Sequence, residues 1–294
     1  MNAIVYEILP AERTALTGCV RALLARLAQA PQLTVTCAAN AAAYRLLEAE
    51  DPALFAQLRA AFLAGRLSPA CAVSAPAETG AAFAAFAARM QADQTYFETT
   101  LGQGCDTAVL LPGSRPALLP QLLVMSGLRF CILPGAAEIA APAPLFWWES
   151  ADGARVLAAC EGAAAQPLKG DETAAMAAGA WFRAQCAQPL DLPTQREDAP
   201  AQPLQGLPLL EGIRITGDGI ALLDAVSDGD GRRLFLAETA GREVTACVLC
   251  DAPQCGFYAD FLPYALKVFA IDRDGFVTDT DFYAPPCAPE GEDA

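Results

Sequence analysis

The chain has 294 residues, of which 54% are hydrophobic, and carries a formal net charge of −15. That length buries a sizeable core without disulfide or metal staples, and two domains is the expected count. There is no histidine, which excludes a Ser-His-Asp or Cys-His nucleophile, a His-ligated metal and an imidazole proton shuttle.

The charge is uneven. Residues 1–170 hold 11 basic and 13 acidic side chains, a net of −2, and residues 171–294 hold 8 and 21, a net of −13. An acidic C-terminal third repels phosphate backbones and anionic lipid, so neither nucleic acid nor a membrane is an expected partner. No run of about 18 apolar residues marks a membrane-spanning helix. The opening MNAIVYEILPAERT lacks a basic region before its apolar stretch and carries Glu7 and Glu12, so it reads as a first strand of a cytoplasmic protein and not as a signal peptide.

Taken in order, Ala3 to Leu9 predicts a strand, and Glu12 to Ala28 a helix with Leu16, Val20, Leu23 and Leu27 along one face. Leu33 to Cys37 is the next strand. Asn40 can cap a helix through Glu50, and Asp51-Pro52 supplies the cap and first-turn proline of another that ends at Gly65. A strand from Pro69 to Val73 precedes a long helix from Ala81 to about Leu101. Then come a strand from Thr107 to Leu111, a helix from about Pro116 to Ser126, and strands from Arg129 to Leu133 and Arg155 to Cys160. Strands alternating with helices imply right-handed crossovers and a parallel sheet, open or curled into a partial, truncated barrel, with its functional edge at the carboxyl ends of the strands.

This α/β domain is assigned to residues 1–165. Residues 166–211 follow as a helix from Glu172 to Gln188 and an extended linker, since Pro189 to Pro208 holds five prolines. From 212 to 286, short alternating runs separated by Gly-Asp turns (GIRITGDG, IALLDAVSDGDG, RRLFLAETAGR, EVTACVLCDAP, YALKVFAID) predict a small antiparallel β-sheet or sandwich. Residues 287–294 are a tail expected to be disordered.

Eleven dispersed cysteines read as reduced core thiols, which suits a reducing compartment. CVLCDAPQC brings Cys247, Cys250 and Cys255 together in sequence. In a strand, i and i+3 face opposite sides, so these read as small hydrophobes and not as a zinc clamp, which would need a fourth ligand.

Several stretches carry a resemblance. DPALFAQLRAAFLAGRL is an acidic-proline helix ending in Gly-Arg; ETGAAFAAFAARMQADQTYFETTLGQGC, LLPGSRPALLPQLLVMSGLRF and FWWESADGARVL follow in that order, and Leu234 to Gly241 holds a Glu-x-x-Gly. In this order they resemble family 38 glycoside hydrolases, the α-mannosidases, over about two thirds of the chain. The resemblance implies a zinc-dependent retaining mannosidase, in which one carboxylate attacks the anomeric carbon, a second carboxyl group protonates the leaving oxygen, and zinc orients the sugar hydroxyls.

The family's site residues do not carry over. The family's His-x-Asp pair after the first strand is replaced by YEILPAERT, and the position of its nucleophilic aspartate falls on Gly113. Acidic positions flanking its Ser-Gly-Glu motif fall on Ser74 and Ala81, and the linker stands where a helical domain with the later metal ligand would be. No catalytic residue, metal ligand or cofactor is therefore expected. Candidate substrate contacts are Ser114 and Arg115 beside Gly113, and Trp148 and Glu149: arginine offers forked donors to sugar hydroxyls and tryptophan a flat apolar face. Trp147 and Trp148 read first as core and interface packing, and Asp152-Gly153 as a tight turn rather than a catalytic acid. Expected partners are a mannoside-like glycan or another protein, with a homo-oligomer left open. Against a glycan-binding or regulatory protein stand a structural subunit without ligand and a metal-independent hydrolase using Glu149, Asp152 or Glu78.

Overall fold

A computed structural model describes residues 4–77, 80–113, 117–135, 141–161, 165–167, 192–197, 212–228 and 231–281. The helix expected from Glu172 to Gln188 and the tail at 287–294 lie outside the described residues. The first strand, Ile4–Ile8 (β1), leads into helix Arg13–Gln29 (α1). The Glu12 carboxylate starts that helix by accepting the N–H groups of Thr14 (3.1 Å) and Ala15 (2.9 Å), and the helix buries Leu16, Val20, Leu23 and Leu27. After strand Val35–Ala39 (β2), Asn40 caps helix Ala41–Glu50 (α2) and Asp51 caps helix Pro52–Leu63 (α3), each accepting one backbone N–H at 2.9 and 3.0 Å. Strand Leu67–Val73 (β3), helix Gly80–Tyr96 (α4) with a π-helical turn at Phe97–Leu101, strand Thr107–Leu110 (β4), helix Leu119–Met125 (α5) and strand Phe130–Leu133 (β5) complete the expected alternation.

Four further short strands join the same sheet: Leu145–Glu149 (β6), Arg155–Cys160 (β7), Ala165–Pro167 (β8) and Thr194–Arg196 (β9). The sheet order is β8-β1-β2-β3-β4-β5-β7-β6-β9. From β8 to β7 every pairing is parallel, while β6 runs antiparallel to β7. A parallel bridge from Glu161, just past β7, to Ala165 at the start of β8 brings the two ends of the parallel run together. The result is a small, curled α/β sheet. Its inner face is lined by Tyr6, Ala38, Ala70, Val109, Phe130, Ile132, Leu157, Ala159 and Ala165. The alternate residues, such as Val5, Cys37, Cys71, Leu110 and Leu133, pack outward under the helices. Within the stretch expected to be a bare linker, 194–196 instead adds a strand to β6.

The C-terminal part folds as two antiparallel sheets. One contains Ile213–Thr216 (β10), Val244–Asp251 (β13) and Gln254–Phe261 (β14). The other contains Ile220–Asp228 (β11), Gly231–Glu238 (β12), Leu266–Ile271 (β15) and Val277–Thr280 (β16). Leu234, Leu236, Phe269 and Ile271 fill the space between the sheets with Ala246, Val248 and Phe261. The opposite-facing Phe235, Ala237, Leu266 and Val268 belong to the core of the α/β part. The four-stranded sheet is thus the middle layer of three, and Gln121 on α5 donates to the Leu266 carbonyl across the junction (3.3 Å).

Glu238, at the end of β12 and fully buried, holds the turn that follows. Its carboxylate accepts backbone N–H groups from Ala240 (2.7 Å), Gly241 (2.7 Å), Arg242 (3.2 Å) and Tyr264 (3.0 Å). Gly241 is required by its neighbours: its φ is 72°, and a Cβ there would meet the Tyr264 hydroxyl oxygen at 2.5 Å.

Candidate functional site at the carboxyl edge of the sheet

Parallel strands present their carboxyl ends at one edge, where helix starts and loops gather and where such folds place ligands. The residues that immediately follow β1, β2, β3, β4, β5 and β7 are Leu9, Asn40, Ser74, Leu111, Pro134 and Glu161. Glu161 is the one carboxylate among them. Its Oε2 accepts the Tyr6 hydroxyl (3.3 Å) and the Gly135 N–H (3.0 Å), so it links three strands at this edge. Burial first, then the Glu161 charge and the hydrogen bond to it, push the Tyr6 phenol above its ordinary value. Tyr6 is therefore a neutral donor at physiological pH.

Gly113, three residues past the end of β4, lies at the same edge with φ 152°, and the space where a side chain would begin is open. Two strand spacings separate β4 from β7, roughly 10 Å. Ser114 and Arg115 lie outside the described residues.

The structure separates Trp148 and Glu149 from this edge. Because β6 runs antiparallel, Glu149 pairs with Arg155, the first residue of β7, at the amino edge of the sheet. From there to Glu161 is six residues along the strand, roughly 20 Å. The expected grouping of Gly113 with Trp148 and Glu149 is corrected accordingly. The reversal is made by the turn at 150–154, in which Ser150 N–H donates to the Ala154 carbonyl (2.9 Å), Ala154 N–H donates to Asp152 (3.1 Å) and Gly153 has φ 89°. Asp152 therefore serves a tight turn, as its sequence context suggested.

Trp148 is 1% exposed on the outer, helix-covered face, and donates its indole N–H to Glu197 (2.9 Å). A ring so placed offers no face to a sugar. Trp147 lies half-buried on the inner face, with the Arg155 guanidinium 4.6 Å from its ring centroid. Glu149 pairs with Arg196 at 3.8 Å. The amino edge is thus a packing arrangement that fastens the 192–197 segment, worth little as an exposed ion pair.

A second buried carboxylate, Asp93 on α4, is also structural. Its Oδ1 accepts the Ala41 N–H at the start of α2 (2.6 Å). Burial raises its pKa, against the lowering influence of that N–H and of Arg89 and Arg45.

The zinc implied by the family resemblance does not fit these residues. The chain has no histidine, and among the described residues no three Cys, Asp or Glu side chains gather where they could hold a metal ion. No step below is routed through one. Tyr6, Gly135 and Glu161 were not singled out from the sequence, although Glu161 directly follows the strand predicted at Arg155 to Cys160, and that position was the available signal.

No family model and no curated protein sequence matches this chain. Among solved structures it is similar to an α-mannosidase from Enterococcus faecalis V583, with a TM-score of 0.52 and 11% identity over 66% of this chain and 30% of that one. It is also similar to a 4-α-glucanotransferase from Thermococcus litoralis (TM-score 0.42, 13% identity, 54% of this chain and 28% of that one). A protein of glycosyl hydrolase family 38 from Enterococcus faecalis matches with a TM-score of 0.40 and 12% identity over 67% of this chain and 24% of that one. The fold is of the glycosidase type, an α/β domain followed by a β-sandwich, and this chain spans less than a third of each of these chains. Among the described residues no helix is long and apolar enough to cross a membrane.

Proposed function

We propose that this glycosidase-fold protein binds a saccharide at the carboxyl edge of its α/β sheet without cleaving it, acting as an accessory or regulatory protein. One observation supports this above all: of the six residues that directly follow described parallel strands, one is a carboxylate, Glu161, and Tyr6 and Gly135 already engage it. Glycoside cleavage by either stereochemical route uses two carboxyl groups across the scissile bond, about 5–5.5 Å apart for retention and about 6.5–9.5 Å for inversion. At the position matching the family's nucleophile stands Gly113, with no side chain. The partly exposed Glu161 carboxylate and the open glycine backbone at Gly113 are groups that suit sugar hydroxyls, with the buried Tyr6 holding Glu161 in place. The nine described cysteines are all free thiols, which supports a reducing, cytoplasmic setting.

The test is hydrolysis of an aryl α-mannoside, with and without added zinc, together with thermal-shift binding of mannose and mannosides. No turnover above background and a saccharide-dependent shift that disappears in Glu161→Gln are expected. Turnover abolished by Glu161→Gln would overturn the reading. The second reading, a structural subunit, is favoured by the filled inner face, where Ala38, Ala70 and Ala159 pack with Phe130 and Leu157. It gains if no glycan shifts the melting curve and a partner chain does.

A further inference from the structure

The hairpin β13–β14 carries three cysteines, and its pairing sorts them. In β13 the burial alternates, so Cys247 and Cys250 lie on opposite faces. Cys247 faces Tyr258 across the hairpin, whereas Cys250 faces Cys255. Cys250 is 2% exposed in the core of the sandwich, Cys255 packs half-buried against the same core, and the two residues are directly opposed across the hairpin. The Asp251 N–H points away from this pair, donating to Gly212 on the other side (2.9 Å). Residues 250 and 255 are therefore the pair that exchanges backbone hydrogen bonds, with Cα atoms roughly 5.5 Å apart. That separation lies within the span a disulfide bridges.

We propose that Cys250 and Cys255 form a thiol-oxidation site, converted by a low-molecular-weight disulfide such as oxidised glutathione into a reversible cross-strand disulfide. Cys255 is the entry point, because it is half-exposed on β14, the edge strand of its sheet. Its thiolate attacks one glutathione sulfur, the glutathione S–S bond breaks, and a first glutathione thiolate leaves. Cys250 then attacks the Cys255 sulfur of the mixed disulfide and expels the second glutathione. The two protons of the protein thiols end on the two glutathiones, so the protein loses two electrons and two protons and the small disulfide gains them. Burial, and then the neighbouring Cys255, hold the Cys250 thiol up at about 11, which suits Cys250 to the second, intramolecular attack and not to the first.

The bond is readily reversed. Directly opposed Cβ atoms in a sheet stand about 4.5–5.5 Å apart, and a relaxed disulfide needs about 3.8 Å, so closure draws the strands together and leaves a strained, reducible link. A second pair, Cys71 and Cys105, is in contact at 3.8 Å, but both are buried in the α/β core, 0% and 6% exposed. Without a path for an oxidant, that pair stays reduced in the folded protein and serves as an internal control.

The experiment incubates the full chain under native conditions with oxidised glutathione, then alkylates it in denaturant and maps the thiols. Cleavage before Asp251 places Cys250 and Cys255 on separate peptides. The expected product joins those peptides, persists in Cys247→Ser, is absent in Cys255→Ser and in Cys255→Ala, and reverts with excess reduced glutathione; Cys71 and Cys105 are recovered alkylated. Full alkylation of Cys250 and Cys255, a stable glutathione adduct on Cys255, or a link from Cys247 would each overturn the proposal. These readouts do not depend on saccharide binding, so its failure and that of the functional reading are distinguishable.

Discussion

Glu238 and Glu161 both sit at the end of a strand, one in the sandwich and one in the α/β part, yet they are embedded differently. The sandwich carboxylate is fully buried and accepts four backbone N–H groups, while the carboxylate at the α/β edge is half-exposed and accepts one N–H and one hydroxyl. Four donors organised around one acceptor make a folding device, with nothing left over for a ligand. Two donors around a partly exposed carboxylate leave hydrogen-bonding capacity facing solvent. The same side chain at a strand end thus serves architecture in the sandwich and keeps hydrogen-bonding capacity toward solvent at the α/β edge.

The largest expected effect tests whether Trp148 belongs to architecture. Trp148→Ala should cost about 3–5 kcal/mol in denaturant unfolding, because it removes a fully buried indole and orphans its Glu197 partner. A loss under about 1 kcal/mol accompanied by lost saccharide binding would return Trp148 to the ligand. Next, Glu238→Ala should cost about 3 kcal/mol by stranding the N–H groups of Ala240, Gly241, Arg242 and Tyr264 in a buried turn, leaving any saccharide-induced shift of the remaining folded protein unchanged. Asp93→Ala should cost about 1–2 kcal/mol, the worth of a helix cap.

Asp93 also gives a pH test. Its folded pKa is raised, so its favourable contribution is complete below the unfolded value near 4 and declines as pH rises through the raised value. Urea midpoints of the wild type should therefore fall across that window relative to Asp93→Asn; parallel curves would contradict the burial assignment. The smallest stability effect, about 1 kcal/mol or less, is expected for Glu161→Gln, whose consequence should appear in ligand binding.

The helical and parallel part of the fold was legible because its signals are local. Asn40 and Asp51-Pro52 cap the helices they were expected to cap, and the Leu16, Val20, Leu23, Leu27 stripe is buried as a stripe. Strand β6 escaped notice because its alternation in LFWWE is short and its partner follows directly in sequence. Its antiparallel direction is what moved Glu149 to the wrong edge for the expected site. β9 was hidden by prolines that read as linker, although Trp147 N–H bonds the Pro193 carbonyl at 2.9 Å. The Tyr6–Glu161 contact spans 155 positions, and no spacing rule within a single strand reports a partner so remote.

The middle sheet of the sandwich is apolar on both sides, with Phe235, Leu266 and Val268 turned toward the α/β helices and Leu234, Leu236 and Phe269 toward the outer sheet. A boundary drawn near residue 212 would therefore expose a hydrophobic wall on each fragment. The molecule should melt in a single calorimetric transition, and neither half expressed alone should stay monomeric.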